Sequence, residues 1–277
     1  MIYITTAMQW EAKPLISHWG LKKDLEVSVY RVYKNRNMVL AITGVGVIPA
    51  AVGATYMLTQ YKARPGDMFI NIGICGARDK HIDRGRAVLC HKIIHHDTKK
   101  CYYPDMLFKH PFSEGVLETF SRPVTRTMYR SVEGDVVDME GAGAYQAAER
   151  FLDHGSIHCI KIVSDYLQGD RLEGGEVARL VEENVPVINK WIQGIKGLMP
   201  SPALIFTKEE EECMDRVCQN LRLTTTMKHH LRHLAEQYTI RRQGLVDVLK
   251  PFGDIECTSK DEVKYYFGQL KERLMEY

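Results

Sequence analysis

The chain has 277 residues, 45% of them hydrophobic and 26% charged, with a formal net charge of +2. That is long enough for one large domain with an appendage or for two domains, and the near-neutral balance excludes a general attraction to nucleic acid or membrane. No window approaches the ~20 apolar residues of a membrane span, and no signal-peptide pattern follows Met1. The seven cysteines lack paired spacing, so a cytoplasmic protein with reduced thiols is expected.

Ile2-Tyr3-Ile4-Thr5-Thr6 reads as a buried first strand. Ala7 to Glu11 is the turn into a helix ending near Trp19, which sets Glu11 at a strand-to-helix junction. A second strand is expected within residues 26–33 and a third over Met38 to Thr43, joined by the polar turn at 34–37. Thr43-Gly44-Val45-Gly46-Val47 is a glycine-bearing turn into a helix over residues 49–61, where Gly44 and Gly46 allow a ligand to approach the backbone. A dinucleotide fingerprint needs a third glycine where Pro49 stands, so a nicotinamide cofactor is set aside.

Asp67 to Gly73 is an apolar strand of the parallel-sheet kind, and Gly73-Ile74-Cys75-Gly76-Ala77 is expected to be a second glycine turn at its end. Arg86 to Ile94 is a further strand leading into His95-His96-Asp97. Adjacent side chains on a strand point to opposite faces, so that trio does not make a metal site. Residues 98–134 carry the least pattern. Their aromatics, Tyr102, Tyr103 and Phe108 to Phe112, suggest a loop that covers a pocket or packs a subunit contact.

Gly134 to Glu140 and Cys159 to Asp165 are two apolar runs, each ending on a carboxylate, with a helical stretch from Gly141 to Phe151 between them. Ligands of open α/β sheets bind at strand ends, so Glu140 and Asp165 are candidates for chemistry. The plainer alternative keeps Glu140 as a helix-dipole partner and Ser164-Asp165 as a helix cap. Residues 172–195 have helical apolar spacing, with Pro186 expected to kink or divide the helix. Gly197 to Pro202 is a clear break.

Beyond it, Thr207-Lys208-Glu209-Glu210 and Ser259-Lys260-Asp261-Glu262 are capping boxes that open amphipathic helices. Two more helices are expected between them, at 226–238 and 241–249, making a small domain of about four helices. The stretch around Lys228, His229, His230, Arg232 and His233 is locally basic. A solvated helix face accounts for it better than nucleic acid does.

Five motifs in order, Ala7-Met8-Gln9-Trp10-Glu11, Thr43-Gly44-Val45-Gly46, Asn71 to Ala77, Val137-Asp138-Met139-Glu140 and Val163-Ser164-Asp165, resemble the nucleoside phosphorylase/nucleosidase superfamily. In particular they resemble its 5′-methylthioadenosine/S-adenosylhomocysteine nucleosidase branch. The resemblance covers roughly residues 1–195. It implies a three-layer α/β fold around a mixed, largely parallel sheet for residues 1–199, with an all-α domain of unknown role at 200–277. It also implies cleavage of a purine nucleoside's N-glycosidic bond, by water or by phosphate, without metal or organic cofactor.

By the same resemblance Asp165 would protonate or share a proton with the purine N7, and Ser164 would orient it. Glu140 would accept hydrogen bonds from ribose hydroxyls, Met139 would pack on the sugar, and Glu11 would activate a water. Lys161 would supply the positive charge where the nucleosidases carry an arginine. Gly44, Gly46, Gly73, Cys75 and Gly76 would form the pocket backbone. Phosphorylases of the superfamily hold phosphate with arginines and a hydroxyl, where this chain has Asn71 and Ile74, so hydrolysis is favoured.

The span from Asp97 to Asp138 is too short for the family's base-stacking Ser-Gly-Asp-Phe segment, so Tyr102, Tyr103 or Tyr166 is a candidate to replace it. Phosphorolysis using Arg78, Lys80 or an arginine of residues 122–130 stays open, as does a nucleoside- or partner-binding protein without catalysis. The expected partners are a small nucleoside and a second copy of the chain, as a homodimer or higher homo-oligomer, with no membrane and with nucleic acid disfavoured.

Overall fold

The computed structural model describes residues 1–124, 126–167, 172–196 and 206–275. The chain divides into two compact units, Met1–Ser201 and Pro202–Tyr277. The break expected at Gly197 to Pro202 lies outside the described residues.

The first unit runs β1 (Ile2–Thr6), α1 (Gln9–His18), β2 (Lys22–Lys23), β3 (Arg31–Lys34), β4 (Met38–Ile42) and α2 (Val47–Gln60). It continues with β5 (Met68–Ala77), β6 (Ala87–His95), β7 (Cys101–Tyr102), β8 (Ser113–Thr119), β9 (Val136–Asp138), α3 (Gly141–Ala148), β10 (Ile157–Asp165) and α4 (Gly174–Lys196). The strands form one mixed sheet in which β4, β1, β5 and β10 are parallel neighbours. β6, β8 and β9 close back from β10 onto β5, so the sheet curls on itself beside the β5–β10 pair.

Alternation along the central strands divides the core into two layers. Tyr3 of β1 and Phe69 of β5 pack with Ala50, Ala54, Met57 and Leu58 of α2 and with Ala142 and Tyr145 of α3. Ile2 and Ile4 of β1, with Ile70 and Ile72 of β5, face Ala12 and Leu15 of α1 and Val181, Val185 and Ile192 of α4. Such strands are largely apolar because both faces are covered, with Thr5, Thr6 and Asn71 as buried exceptions.

Three sequence expectations change. Gly73 to Ala77 is no turn: the strand continues through it, because β10 pairs with it as far as Gly76 and β9 pairs with Gly76 and Ala77. Pro186 does not divide α4, which runs unbroken for 23 residues; Val185, Ile188, Trp191 and Ile192 around and beyond the proline are buried on the sheet. The segment 98–134, where no strand was expected, supplies β7 and the inner strand β8, while the aromatic stretch between them is a connection as expected. Its Tyr102 and Phe112 pack into the core instead of covering a pocket.

The second unit holds α5 (Lys208–Asn220), α6 (Thr225–Arg241), α7 (Leu245–Gly253) and α8 (Lys260–Met275) around its own core, with Leu231, Leu249, Phe252 and Leu270 buried. Thr207 and Glu210 form the expected reciprocal cap. Glu262 accepts from the Ser259 amide and donates its own amide to Ser259 Oγ, closing the second. α7 begins later than expected, at Leu245, because Gly244 at φ +86 sets its start, and it runs through Pro251 to Gly253. Among the described residues, no helix is long and apolar enough to cross a membrane.

Candidate active site

The C-terminal ends of β5, β9 and β10 and the start of α1 surround a cavity of about 440 Å³. Its lining includes Met8, Glu11, Cys75, Gly76, Asp138, Met139, Glu140, Ser164 and Asp165. A more apolar cavity of about 670 Å³ beside Phe108 and Trp191 has no carboxylate among its lining residues.

Glu11 stands in the first turn of α1 and is 2% exposed. Its Oε2 accepts the amides of Ala7 and Met8 at 2.9 Å each, and its Oε1 accepts the amide of Ile74 at 2.9 Å. Burial still raises its pKa above the ordinary carboxylate value, against those amides and the nearby Lys161 charge. Gly73 is what lets this carboxylate in: a Cβ there would lie 2.8 Å from Glu11 Oε1.

Across the cavity, β10 carries a bulge between Val163 and Asp165, which re-aims Asp165 at the strand exit. Ser164 Oγ lies 2.7 Å from Asp165 Oδ2 and 3.0 Å from the Cys75 carbonyl, while the Leu167 amide donates to Asp165 Oδ1 at 2.8 Å. Both carboxyl oxygens of Asp165 are thus held while the residue lines the cavity. Arg84 fixes the strand end from behind, its Nε donating to the Ser164 carbonyl at 2.6 Å.

Glu140 occupies the residue before α3 and is 7% exposed. Its Oε1 accepts the amide of Gly46, at 2.9 Å, from the N-terminus of α2. Burial, and then the negative charge of Asp138, push its pKa up to about 7.

Asp138 is the residue that sequence reasoning missed as a separate part of the site. It takes Thr119 Oγ1 at 2.7 Å, the Gly141 amide at 2.7 Å and Lys161 Nζ at 2.8 Å. Lys161 is 1% exposed and does not line the cavity. Burial opposes its charge, but the Asp138 carboxylate at 2.8 Å leads the groups that outweigh it and hold the ammonium well above its usual pKa. The signal was present in the alternation of β9, where a third acidic residue stands two before Glu140.

Of the expected pocket backbone, Cys75 and Gly76 line the cavity, whereas Gly44, Gly46 and Gly73 act one step removed. Gly44 and Gly46 hold φ of +92° and +113° in the turn, a region that favours glycine. No tyrosine takes the base-stacking place among the described lining residues. Tyr102 donates to Gln146 from the core, Tyr103 is exposed, and Tyr166 hydrogen-bonds the backbone at Ile82 and Arg84. Pro123, Val124, Val137 and Leu167 provide the apolar wall instead. Arg78 and Lys80 are absent from the lining, and no described lining residue is an arginine or lysine.

The first unit has a nucleoside phosphorylase-like fold. Solved structures with the same architecture include the 5′-methylthioadenosine/S-adenosylhomocysteine nucleosidase of Helicobacter pylori with butyl-thio-DADMe-Immucillin-A (TM-score 0.56, 14% identity, 70% of this chain and 97% of that one). They also include a futalosine hydrolase mutant of the same species (0.55, 14%, 70% and 98%) and the Neisseria meningitidis nucleosidase with methylthio-immucillin-A (0.57, 20%, 68% and 98%). The family model described as "Phosphorylase superfamily" matches residues 1–111. Two 5′-methylthioadenosine/S-adenosylhomocysteine nucleosidases match in sequence. That of Exiguobacterium sp. is 30% identical over 99 residues, 34% of this chain and 41% of that one; that of Staphylococcus aureus is 24% identical over 148 residues, 50% and 64%. The chain thus spans about two fifths to two thirds of the length of these relatives. The resemblance drawn from the five motifs is borne out.

Proposed function

We propose that the protein is an N-ribosyl hydrolase that cleaves the N-glycosidic bond of a purine or modified nucleoside with water. The observation that carries this reading is that Glu11, Met139, Glu140 and Asp165 line one cavity. As the bond to the base lengthens, electrons pass to the purine and positive charge grows on the ribose. Asp165, oriented by Ser164, holds the proton at the purine N7 and makes the base a neutral leaving group. Glu140 takes hydrogen bonds from ribose hydroxyls, and Met139 covers the sugar. Glu11 accepts a proton from water as the water attacks the anomeric carbon on the face opposite the departing base. Burial raises the Glu11 pKa, which makes it a stronger base than an exposed carboxylate.

Water is favoured over phosphate because the described lining offers no cationic side chain, and a dianion there would face four carboxyl groups, Glu11, Asp138, Glu140 and Asp165. The relatives named as nucleosidases support the same reaction class. The proposal extends to a homodimer, supported by the exposed apolar residues Ile48 (75%) and Val52 (53%) on α2, and to a cytoplasmic location, in keeping with the free thiols. The test is free-base release from 5′-methylthioadenosine, adenosine, inosine and deoxynucleosides with and without phosphate. Turnover that requires phosphate would replace hydrolysis by phosphorolysis. Binding without release from any of these nucleosides would replace both by a binding protein.

A further inference from the structure

Three carboxyl groups of the cavity lining and one ammonium directly behind it form a buried cluster. Glu11 from α1, Asp138 from β9, Glu140 at the start of α3 and Lys161 from β10 are each at most 7% exposed. Asp138 engages Lys161 at 2.8 Å and is further held by Thr119 and Gly141. Glu11 spreads its charge over three backbone amides. Glu140 has only the Gly46 amide at 2.9 Å and its neighbour Met139 at 3.3 Å. Three buried carboxylates with one ammonium would leave two uncompensated negative charges, which a low-dielectric site resists by taking up a proton. The carboxylate with the fewest donors is the one to take it.

We infer that the ligand-free protein holds a proton on Glu140, that a nucleoside's 2′,3′-diol expels it, and that Asp138 is the positioning residue that keeps it there by engaging Lys161. The inference rests on the reading of Glu140 as the ribose-binding group. The remaining groups facing Glu140 are the amide at the N-terminus of α2, which favours the carboxylate, and the Glu11 charge, which opposes it. On β5 the Cys75 thiol is pushed well above its usual pKa by burial and so stays neutral. Asp165 lines the same cavity from the end of β10. The two hydroxyls of a diol can both donate to Glu140, and with charge-assisted strength, only when it is ionised, because a protonated carboxyl turns one oxygen into a donor. Binding therefore sends the proton from its Oε to solvent, and no covalent bond changes. Because burial sets the ligand-free pKa at about 7, affinity for a diol weakens as pH falls below that value and levels off above it. A sugar without the diol expels nothing.

The probe is the carbocyclic analogue of adenosine, which keeps both hydroxyls but lacks the ring oxygen needed for hydrolysis, beside its 2′,3′-dideoxy counterpart. Calorimetric titration of the full chain in buffers of different ionisation enthalpy counts the protons. The expected result is about half a proton released per diol ligand near pH 7 and an affinity loss approaching ~10-fold per pH unit below it, with neither effect for the dideoxy ligand. Asp138→Asn frees Lys161 to pair with Glu140 and moves the midpoint to lower pH, which a merely structural lesion would not do. Infrared difference spectra of the ligand-free protein supply a second readout: a protonated-carboxyl C=O band that titrates near pH 7 and is missing from Glu140→Gln. Diol binding with no proton release and constant affinity from about pH 6 to 8 overturns the inference, as does the absence of that band. If the diol analogue binds at no pH, the hydrolase reading fails, and the infrared band alone decides where the proton sits.

Discussion

In the proposed reaction Asp165 and Glu11 do opposite work with the same functional group, and their surroundings differ. Asp165 sits at a bulged strand exit with one oxygen on Ser164 and the other on a backbone amide, and it is partly exposed at the cavity wall. Glu11 is wholly enclosed and held by three amides. Asp165→Asn keeps the shape but removes the proton, so base release is expected to fall by about 10²–10⁴-fold with an unchanged circular dichroism spectrum. Gly73→Ala is a sharper test of packing, because its Cβ would displace Glu11 Oε1. We expect a loss of about 1–3 kcal/mol in denaturant titration, together with a turnover defect that resembles that of Glu11→Gln. Lys161→Met strands Asp138 as a buried unpaired carboxylate and is expected to cost about 3–5 kcal/mol. Lys161→Arg, which retains the charge, should cost less.

At the scale of elements, the site depends on how closely α2 and α3 approach. Gly143 of α3 lies against α2 so tightly that a Cβ there would come within 2.2 Å of the Val47 carbonyl oxygen, which is backbone and cannot swing aside. Gly143→Ala must therefore separate the two helices and lengthen the Gly46–Glu140 bond. The expected outcome is lower thermal stability with weaker nucleoside binding. β1, β4, β5 and β10 were legible in the sequence because two-sided burial makes them largely apolar runs. β8 was not: its Ser-Glu-Gly-Val-Leu-Glu-Thr hides the fully buried Glu118, which is satisfied by His96 and by the amides of Glu133 and Gly134. Only tertiary partners make that sequence a strand. The carboxylates were readable because they end strands, whereas the Asp138–Lys161 pair depended on side-chain direction across β9 and β10, which no local pattern encodes. The apolar base wall was likewise invisible, since Pro123, Val124 and Leu167 come from separate connections.

For the whole molecule, two units each with its own core imply separable stability. The helical unit can be weakened at a site that touches none of the catalytic groups: Leu249 is fully buried among the residues of its own core. Leu249→Ala is expected to destabilise that unit by about 2–5 kcal/mol while base release at ambient temperature stays near wild type. Thr207→Ala, which removes the cap of α5, should cost about 1 kcal/mol there. A proportionate loss of turnover in either variant would mean that the helical unit takes part in the reaction.

The central claim, that water attacks a nucleoside held between Glu11 and Asp165, is tested most directly by free-base release from the nucleoside panel with and without phosphate. Wild type is to be compared with Asp165→Asn and Glu11→Gln. Release that is independent of phosphate and lost in both variants is the predicted result. Release that needs phosphate, or that survives Glu11→Gln at the wild-type rate, would contradict it.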